Sequence, residues 1–553
     1  QINANYVSKA QHLNKSTNKQ INKPTDHRSQ ITNQLISLPL LPSFMKNPAT
    51  MPEVMISRIL NHRWFATVLA LVLFLPLLFI NVRNDHDWGD DFAQYLAQAE
   101  NISQGKSMTE TGYIYNDAYP SLGPKAYPPG LPLIIAPLVS RFGNEIRPYN
   151  LLFSCLMIVA ALMTVFLFKR YSGWITAIAL SIVIFYNPYV MVLKSEVMAD
   201  VPFTLLLLLF ILLTTSQSNH RRQIWIWAGV TAGLAIAFKT AGFALLLALL
   251  ALIVQKTFYA LKKKQNRSEL YKQMINPSIA LGTGVFVYFV FYVLFLRGSG
   301  GESSYLNTFS LRGLMDTMAL NIFIYTEEFR RFFIETSSPV YWFGFLAGAA
   351  AVTFFVTGFV LSLIRKPGIT EWLILIYVGM LLVYPYHYSG FRFLMPVVPV
   401  LLCYALVAIK AYQPGKTGKY IAIAFTGLMM AVYLPELQTI HQSASIIQEG
   451  PYTSQSRQAF AKIEDYTAKD AVITFIKPRV LARFTHRQAF SGQPESTPVE
   501  FYRQMQLLKP DYYLLYSALP DLALENYIKT NPEQIEMVWR SPYFQLFRNR
   551  KSH

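Results

Sequence analysis

The run VRNDHDWGDDFAQYLAQAENISQGK, residues 82–106, follows the first long apolar stretch and sets four aspartates, Asp85, Asp87, Asp90 and Asp91, within seven positions. The chain as a whole is only 14% charged, so this concentration of carboxylates needs a reason. The second half of the run has helical periodicity. Phe92, Tyr95, Leu96, Ala99 and Ile102 fall on one side, the pattern of a helix lying along a membrane interface. Asp90 and Asp91 then stand at its N-terminus, where negative charge is favourable whatever the function. A helix cap and a reactive carboxylate both fit this local pattern, and the surrounding sequence has to separate them.

Outward from that run, the chain of 553 residues is 53% hydrophobic, with 39 Phe and 33 Tyr, which is the composition of a multi-spanning membrane protein. Apolar runs near 64–82, 149–168, 173–193, 201–215, 224–238, 241–258, 278–296, 340–364, 371–385, 392–409 and 420–436 predict about eleven transmembrane helices, several short enough to need tilt or a break. The formal charge of +18 lies in short Lys/Arg clusters between these runs, so it reads as an orientation signal and excludes nucleic acid as a partner. Cys155 and Cys403 both lie inside apolar runs, which excludes a disulfide framework and a Cys/His zinc site. Residues 1–57 are rich in Asn, Gln, Lys, Ser and Thr and are expected to be disordered. Met45, Met51 and Met55 follow closely, so part of this stretch reads as an upstream extension, and no signal-peptide cleavage pattern is evident.

Arg58 and Arg63, Lys169 and Arg170, Arg221 and Arg222, Lys262 to Lys264, Arg365 and Lys366, and the segment KAYQPGKTGK fall at alternate ends of the runs. The positive-inside rule then puts the N-terminus in the cytoplasm. It puts loops 83–148 and 297–339, the turn KSEVMAD at 194–200, the Lys239 turn and the turn PYHYSGFR on the extracytoplasmic side. Residues 58–436 form the expected membrane domain. From 437 to 553 the strand-like segments AVITFI, YYLLY, IEMVW and YFQLF alternate with the helical VEFYRQMQLLK and LALENYIK, predicting a small extracytoplasmic α/β domain.

The polar residues on that outer face each have two readings. The prolines of KAYPPGLPLIIAPL should prevent a continuous helix and make the chain skim the interface. Glu196 and Asp200, one helical turn apart, can share a face at a span end as a site or be solvated loop residues. Lys239 can mark a boundary or offer a cation to an anionic headgroup. Tyr384, Tyr386, His387, Tyr388 and Arg392 fall within nine positions and suit a phosphate, with an interfacial tyrosine belt as the plainer reading. Carboxylates and phosphate-binding cations on one face suggest a general base activating an acceptor while cations stabilise a departing phosphate. A polyprenyl-phosphate sugar fits as the donor, since no nucleotide-binding loop is visible.

The motifs DDFAQY, AYPPGLPL, SEVMADVPF and RFLMPVVP, in this order and on one side, resemble the GT-C glycosyltransferases over roughly residues 60–440. The branch they look most like is family 39, with its protein O-mannosyltransferases and lipid A aminoarabinose transferases. The resemblance implies a polytopic, mainly α GT-C fold and an inverting transfer of one monosaccharide to a lipid, glycan or protein acceptor. It makes Asp91 the candidate base, with Asp90 as the alternative, because the usual Asp-Glu motif is Asp-Phe here. Tyr95, Tyr127, Glu196 and Asp200 would border the substrate pocket. Arg392, Lys239, Lys125, His387 and Tyr386 would contact the donor phosphate, although relatives place a Lys where this chain has Tyr127. Asp85, His86, Asp87, Asp90 and Asp91 could ligate Mg²⁺ or Mn²⁺, but the branch resembles a metal-independent design and no cofactor is expected. The location implied is the plasma membrane, the inner one in a bacterium, with the site facing outward. The rival from another class is a transporter or flippase of a lipid-linked sugar, which should show inverted repeats and charges near the bilayer midplane. A lipid-linked oligosaccharide ligase is the nearer enzymatic rival.

Overall fold

The computed structural model describes residues 63–216, 221–264, 266–296, 311–333, 341–365, 367–385, 390–412, 417–447 and 449–550. The expectation of disorder over 1–57 lies outside them. Among the described residues, five helices are long and apolar enough to cross a membrane: Ile146–Lys169, Thr240–Lys262, Arg267–Phe295, Gly344–Arg365 and Gly418–Ser443. The other expected spans are shorter or broken, so eleven full-length spans are not reproduced, and proline chemistry accounts for several of the breaks. The first helix, α1 (Arg63–Phe74), runs into a 3₁₀ turn at Leu75–Leu78 that contains Pro76. The run 173–193 divides into two helices bent by 62°, Trp174–Phe185 and Pro188–Ser195. Asn187 makes that break, since its side chain accepts hydrogen bonds from the backbone N–H of Tyr189 and Val190 while Pro188 opens the second helix. The run 392–409 divides likewise, into Phe391–Leu394 and Val398–Tyr412, with Pro396 between them.

The helices pack closely where small residues meet. A Cβ on Gly229 would lie 2.4 Å from the carbonyl oxygen of Ala280, and one on Gly233 would lie 2.6 Å from that of Gly284. The helix Arg222–Phe238 therefore lies backbone to backbone on Arg267–Phe291, the small-residue contact that suits helices in lipid.

Two expectations for the loop 83–148 change. The helix α2 (Asp90–Ser103) forms as read, but Gln94, Gln98 and Asn101 on its polar side are buried with the apolar ones, so it does not lie half in solvent. Its amides hold the neighbouring loop instead. Gln94 donates to the carbonyl of Lys125, Gln98 to that of Tyr127 and Asn101 to that of Glu110. The proline-rich segment does become a helix, α3 (Gly130–Phe142), because Pro128 and Pro129 precede it and Pro132 sits in its first turn, where no N–H is needed; Pro137 is carried inside it.

The C-terminal segment is a five-stranded mixed sheet in the order β2-β1-β3-β5-β4, built from β1 (Val472–Thr474), β2 (Gln488–Phe490), β3 (Tyr512–Tyr516), β4 (Ile535–Arg540) and β5 (Phe544–Asn549). β1 pairs in parallel with β2 and β3, whereas β5 runs antiparallel to β3 and β4. The four strands and two helices read from the sequence are present. β2 and the helix α4 (Pro478–Thr485), between β1 and β2, were not foreseen. The loop 83–148 reaches this sheet: Tyr113 bridges Ala489 in parallel, and Asn116 donates to Ser491 O and Gln504 Oε1, 2.9 Å each.

Candidate functional site

The first turn of α2 sends its two aspartates in different directions, since successive residues of a helix are about 100° apart. Asp90 faces α4. Its Oδ1 accepts the backbone N–H groups of Arg479 and Val480, 3.1 Å each, so it caps the N-terminus of a helix 389 residues further along the chain. Burial pushes its carboxyl up to about 6, against the pull of Arg479, Lys477 and the Val480 N–H. The acidic run does not cap its own helix, whose N-cap is Gly89; Asp90 caps α4 instead.

Asp91 faces the ends of the membrane helices. Its Oδ1 accepts the Tyr127 hydroxyl at 2.5 Å and lies 3.3 Å from Arg479 Nη1, and its Oδ2 accepts from Arg392 Nη1 at 2.9 Å. Burial opposes its charge, yet Arg392 and Arg479 outweigh burial and hold the carboxyl below the ordinary aspartate value. Arg392 also donates through Nε to Asp200 Oδ2 at 2.8 Å, and Lys239 reaches Asp200 Oδ1 at 2.5 Å. Lys239 lies 4.3 Å from the centre of the Phe393 ring. Tyr95 stacks on Tyr127 with ring centres 4.8 Å apart. Asp91, Arg392, Asp200, Lys239, Tyr127 and Tyr95, six of the residues singled out in the sequence, thus form one cluster.

Others stand elsewhere. Glu196 and Asp200 do not share a helix face, because one helix ends at Ser195 and the next, Asp200–Thr214, begins four residues beyond Glu196. Glu196 turns to His86, whose Nε2 is 2.9 Å from Glu196 Oε2 and whose Nδ1 is 2.9 Å from Asp87 Oδ1. Burial disfavours a charged His86, but Glu196 and Asp87 outweigh it and raise the imidazole to about 10. His86, Asp87 and Glu196 place one ligand atom each within 4.8 Å of one another, so these three could hold a metal ion. Of the acidic run, Asp85 is engaged by Arg83, and Asp90 and Asp91 by the contacts above. Lys125 is held through its carbonyl by Gln94 and does not line the cavity described next. Tyr386 and His387 lie outside the described residues.

A cavity of about 710 Å³ opens beside the cluster, lined among others by Asp90, Asp91, Glu196, Arg392 and Lys477. Sequence reasoning missed the two cations that the C-terminal segment brings here, Lys477 and Arg479. Arg479 is fully buried, with its guanidinium 4.7 Å from the ring centre of Tyr113 and 5.0 Å from that of Tyr127. Its Nη2 donates to the carbonyl of Pro124 at 2.9 Å, and its Nη1 to the Tyr127 hydroxyl at 2.8 Å. Gly123 makes the room, at a φ of +113° that favours glycine, where a Cβ would lie 2.8 Å from Arg479 Nη2. The available signal was the segment IKPRVLARF, in which Pro at a first helical position follows Lys and precedes Arg.

Residues 126–293 match the family described as dolichyl-phosphate-mannose-protein mannosyltransferase, a stretch that includes Tyr127, Glu196, Asp200 and Lys239. A search of curated protein sequences returns no match. Among solved structures, the chain is similar to ArnT from Cupriavidus metallidurans bound to undecaprenyl phosphate, at 14% identity and a TM-score of 0.51, covering 89% of this chain and 99% of that one. It also aligns with the oligosaccharyltransferase AglB from Archaeoglobus fulgidus in complex with an inhibitory peptide and a dolichol-phosphate, at 14% identity over 82% of this chain and 69% of that one, with a TM-score of 0.47. The arabinofuranosyltransferase AftD from Mycobacteria aligns at 11% identity over 88% of this chain and 40% of that one, with a TM-score of 0.45. The fold argument rests on the first. The resemblance to GT-C glycosyltransferases read from the sequence is met by a family over part of the chain and by a fold over most of it.

Proposed function

We propose that the protein is a glycosyltransferase that moves one monosaccharide from a polyprenyl-phosphate donor to an acceptor on the extracytoplasmic face, with inversion at the anomeric carbon and Asp91 as general base. One observation carries this reading. A carboxylate kept ionised lines a cavity beside an arginine that it shares with a second carboxylate. Ionised Asp91 is ready to accept a proton, but two arginines make it a weak base while it is fully engaged. An incoming phosphate competes for Arg392, and as the guanidinium turns to it, Asp91 Oδ2 is released and its basicity rises. The acceptor's hydroxyl or amine then gives its proton to Asp91 and attacks the anomeric carbon from the face opposite the phosphate. The carbon–oxygen bond to the phosphate breaks, its electron pair leaves with polyprenyl monophosphate, and Arg392 stabilises the charge that develops. Asp90 is less suited to act as base despite its raised pKa, because its Oδ1 already accepts two backbone N–H groups.

The test is loss of radiolabelled sugar from polyprenyl-phosphate carriers by the purified protein in lipid. Asp91→Asn should lower turnover about a thousandfold with the fold intact, in the range of a lost general base. An undiminished Asp91→Asn enzyme would remove Asp91 from this role. Absence of turnover with every carrier would return attention to the flippase reading, for which the 62° break in a spanning helix is the favourable observation.

A further inference from the structure

Among the described residues, an anion entering the cavity beside Asp91 meets six carboxylates in its lining, Asp87, Asp90, Asp91, Glu196, Glu328 and Glu436, and two cations, Arg392 and Lys477. Arg392 is held by Asp91 and Asp200. Lys239 is turned onto Asp200 and does not line the cavity, and Arg479 is enclosed by Asp90, Asp91 and two tyrosine rings. Lys477 is half-buried, its carbonyl accepts the Leu481 N–H, and its charge acts on Asp90, but its ammonium makes no hydrogen bond or ion pair among the described residues. Its backbone is nonetheless fixed. Pro478 restricts the Lys477 backbone before it, and the N–H groups of Arg479 and Val480 are bound by Asp90. A cation held on a rigid backbone, unpaired and facing a cavity, costs little to reorganise when an anion arrives.

We infer that Lys477 receives the phosphate of the lipid substrate, together with Arg392, so that the C-terminal α/β segment supplies part of the binding site. The inference rests on the reading of the site as one for a phosphate-bearing lipid. It assigns to Lys477 the contact that the sequence had given to Lys239 and Lys125. The phosphate could belong to the donor carrier or to a phosphorylated acceptor lipid, and binding measurements separate the two.

Full-length protein in nanodiscs would be titrated with undecaprenyl phosphate, with undecaprenol lacking the phosphate, and with phosphatidic acid, for wild type, Lys477→Ala and Lys477→Arg. The expected result is undecaprenyl phosphate binding about tenfold or more weaker in Lys477→Ala, largely restored in Lys477→Arg, with undecaprenol binding equal in all three. Equal undecaprenyl phosphate binding in wild type and Lys477→Ala would overturn the inference and leave the proposed transfer standing. Equal losses for undecaprenol and its phosphate would also overturn it, since the residue would then act through packing. Loss of phosphatidic acid binding alone, with no wild-type affinity for undecaprenyl phosphate, would keep the phosphate contact and overturn the donor. Wild type binding neither phosphate would overturn both.

Discussion

Two regions of the molecule each send an arginine to Asp91, and they do so on different terms. Arg392 comes from the end of the helical bundle, is 20% exposed, and divides its guanidinium between Asp91 and Asp200 at the mouth of a cavity. Arg479 comes from the α/β segment, is 0% exposed, and is enclosed by Tyr113, Tyr127, Asp90 and the carbonyl of Pro124. The same charge pair therefore serves two purposes. The accessible arginine can change partners when a ligand arrives, whereas the enclosed one fixes the carboxylate in place.

That contrast is easiest to break at Arg479. Arg479→Ala leaves Asp90 without its buried guanidinium and Asp91 with Arg392 alone, and should destabilise the protein by about 3–5 kcal/mol. The loss would appear in chemical denaturation and as earlier proteolytic cleavage between the helical and α/β parts. Unchanged stability would show that Arg479 is not the fixed partner. At Arg392 the expected loss is in function. Arg392→Lys keeps the charge but cannot bridge Asp91 and Asp200 through two nitrogens, so turnover should fall about a hundredfold with stability nearly unchanged. If the unfolding midpoint fell as far as it does in Arg479→Ala, the two arginines would be equivalent after all.

A smaller effect belongs to Asp90. Its folded carboxyl releases its proton near pH 6, whereas the unfolded one does so near its ordinary value of 3.8. Between these values the folded state holds the extra proton, so this group's contribution to stability falls as pH rises from about 4 to 6. Asp90→Asn removes that slope while its amide oxygen can still accept the N–H groups of α4. The melting temperature of the variant relative to wild type should rise across this window, and a constant gap would show that Asp90 does not titrate there. The smallest effect is at Tyr95, where Tyr95→Leu loses the stacking on Tyr127, worth about 0.5–1.5 kcal/mol beyond its buried area. A double-mutant cycle with Tyr127→Leu measures it, and a coupling near zero would mean that the ring pair contributes no specific orientation.

Much of the bundle side of this site was legible because membrane sequences make charge conspicuous. Asp200, Lys239 and Arg392 each interrupt or border an apolar run, where an ionisable group is costly enough to draw notice, and Asp91 belongs to an acidic run in a chain poor in charge. Arg479 has no such background. It sits in an ordinary amphipathic stretch of an α/β segment, and only its partners, nearly four hundred residues earlier, make it unusual. The pairing of Glu196 with Asp200 was misread because helical spacing was assumed across a stretch where one helix ends and another starts. The polar side of α2 was misread for a related reason. Amphipathicity identifies the face that must be buried, but it does not show that the other face stays in water. Gln94 and Gln98 bond a neighbouring loop, and a second layer of protein covers them. The fold followed the hydropathy pattern except where proline and asparagine cut it, at Pro76, Asn187 and Pro396.

The cap that Asp90 places on α4 also bears on the order of assembly. Contacts between residues far apart in a chain are slow to form, and α4 is made after every other part of this cluster. The bundle can gather Arg392, Asp200 and Lys239 while the α/β segment is still unfolded, but Asp91 reaches its final setting only after Arg479 docks. During synthesis Asp91 thus lacks Arg479, the most distant of its partners in the chain, until the last part of the molecule has been made. A protein stalled at that stage would hold Asp91 by Arg392 and Tyr127 alone, without the enclosed arginine that completes its setting.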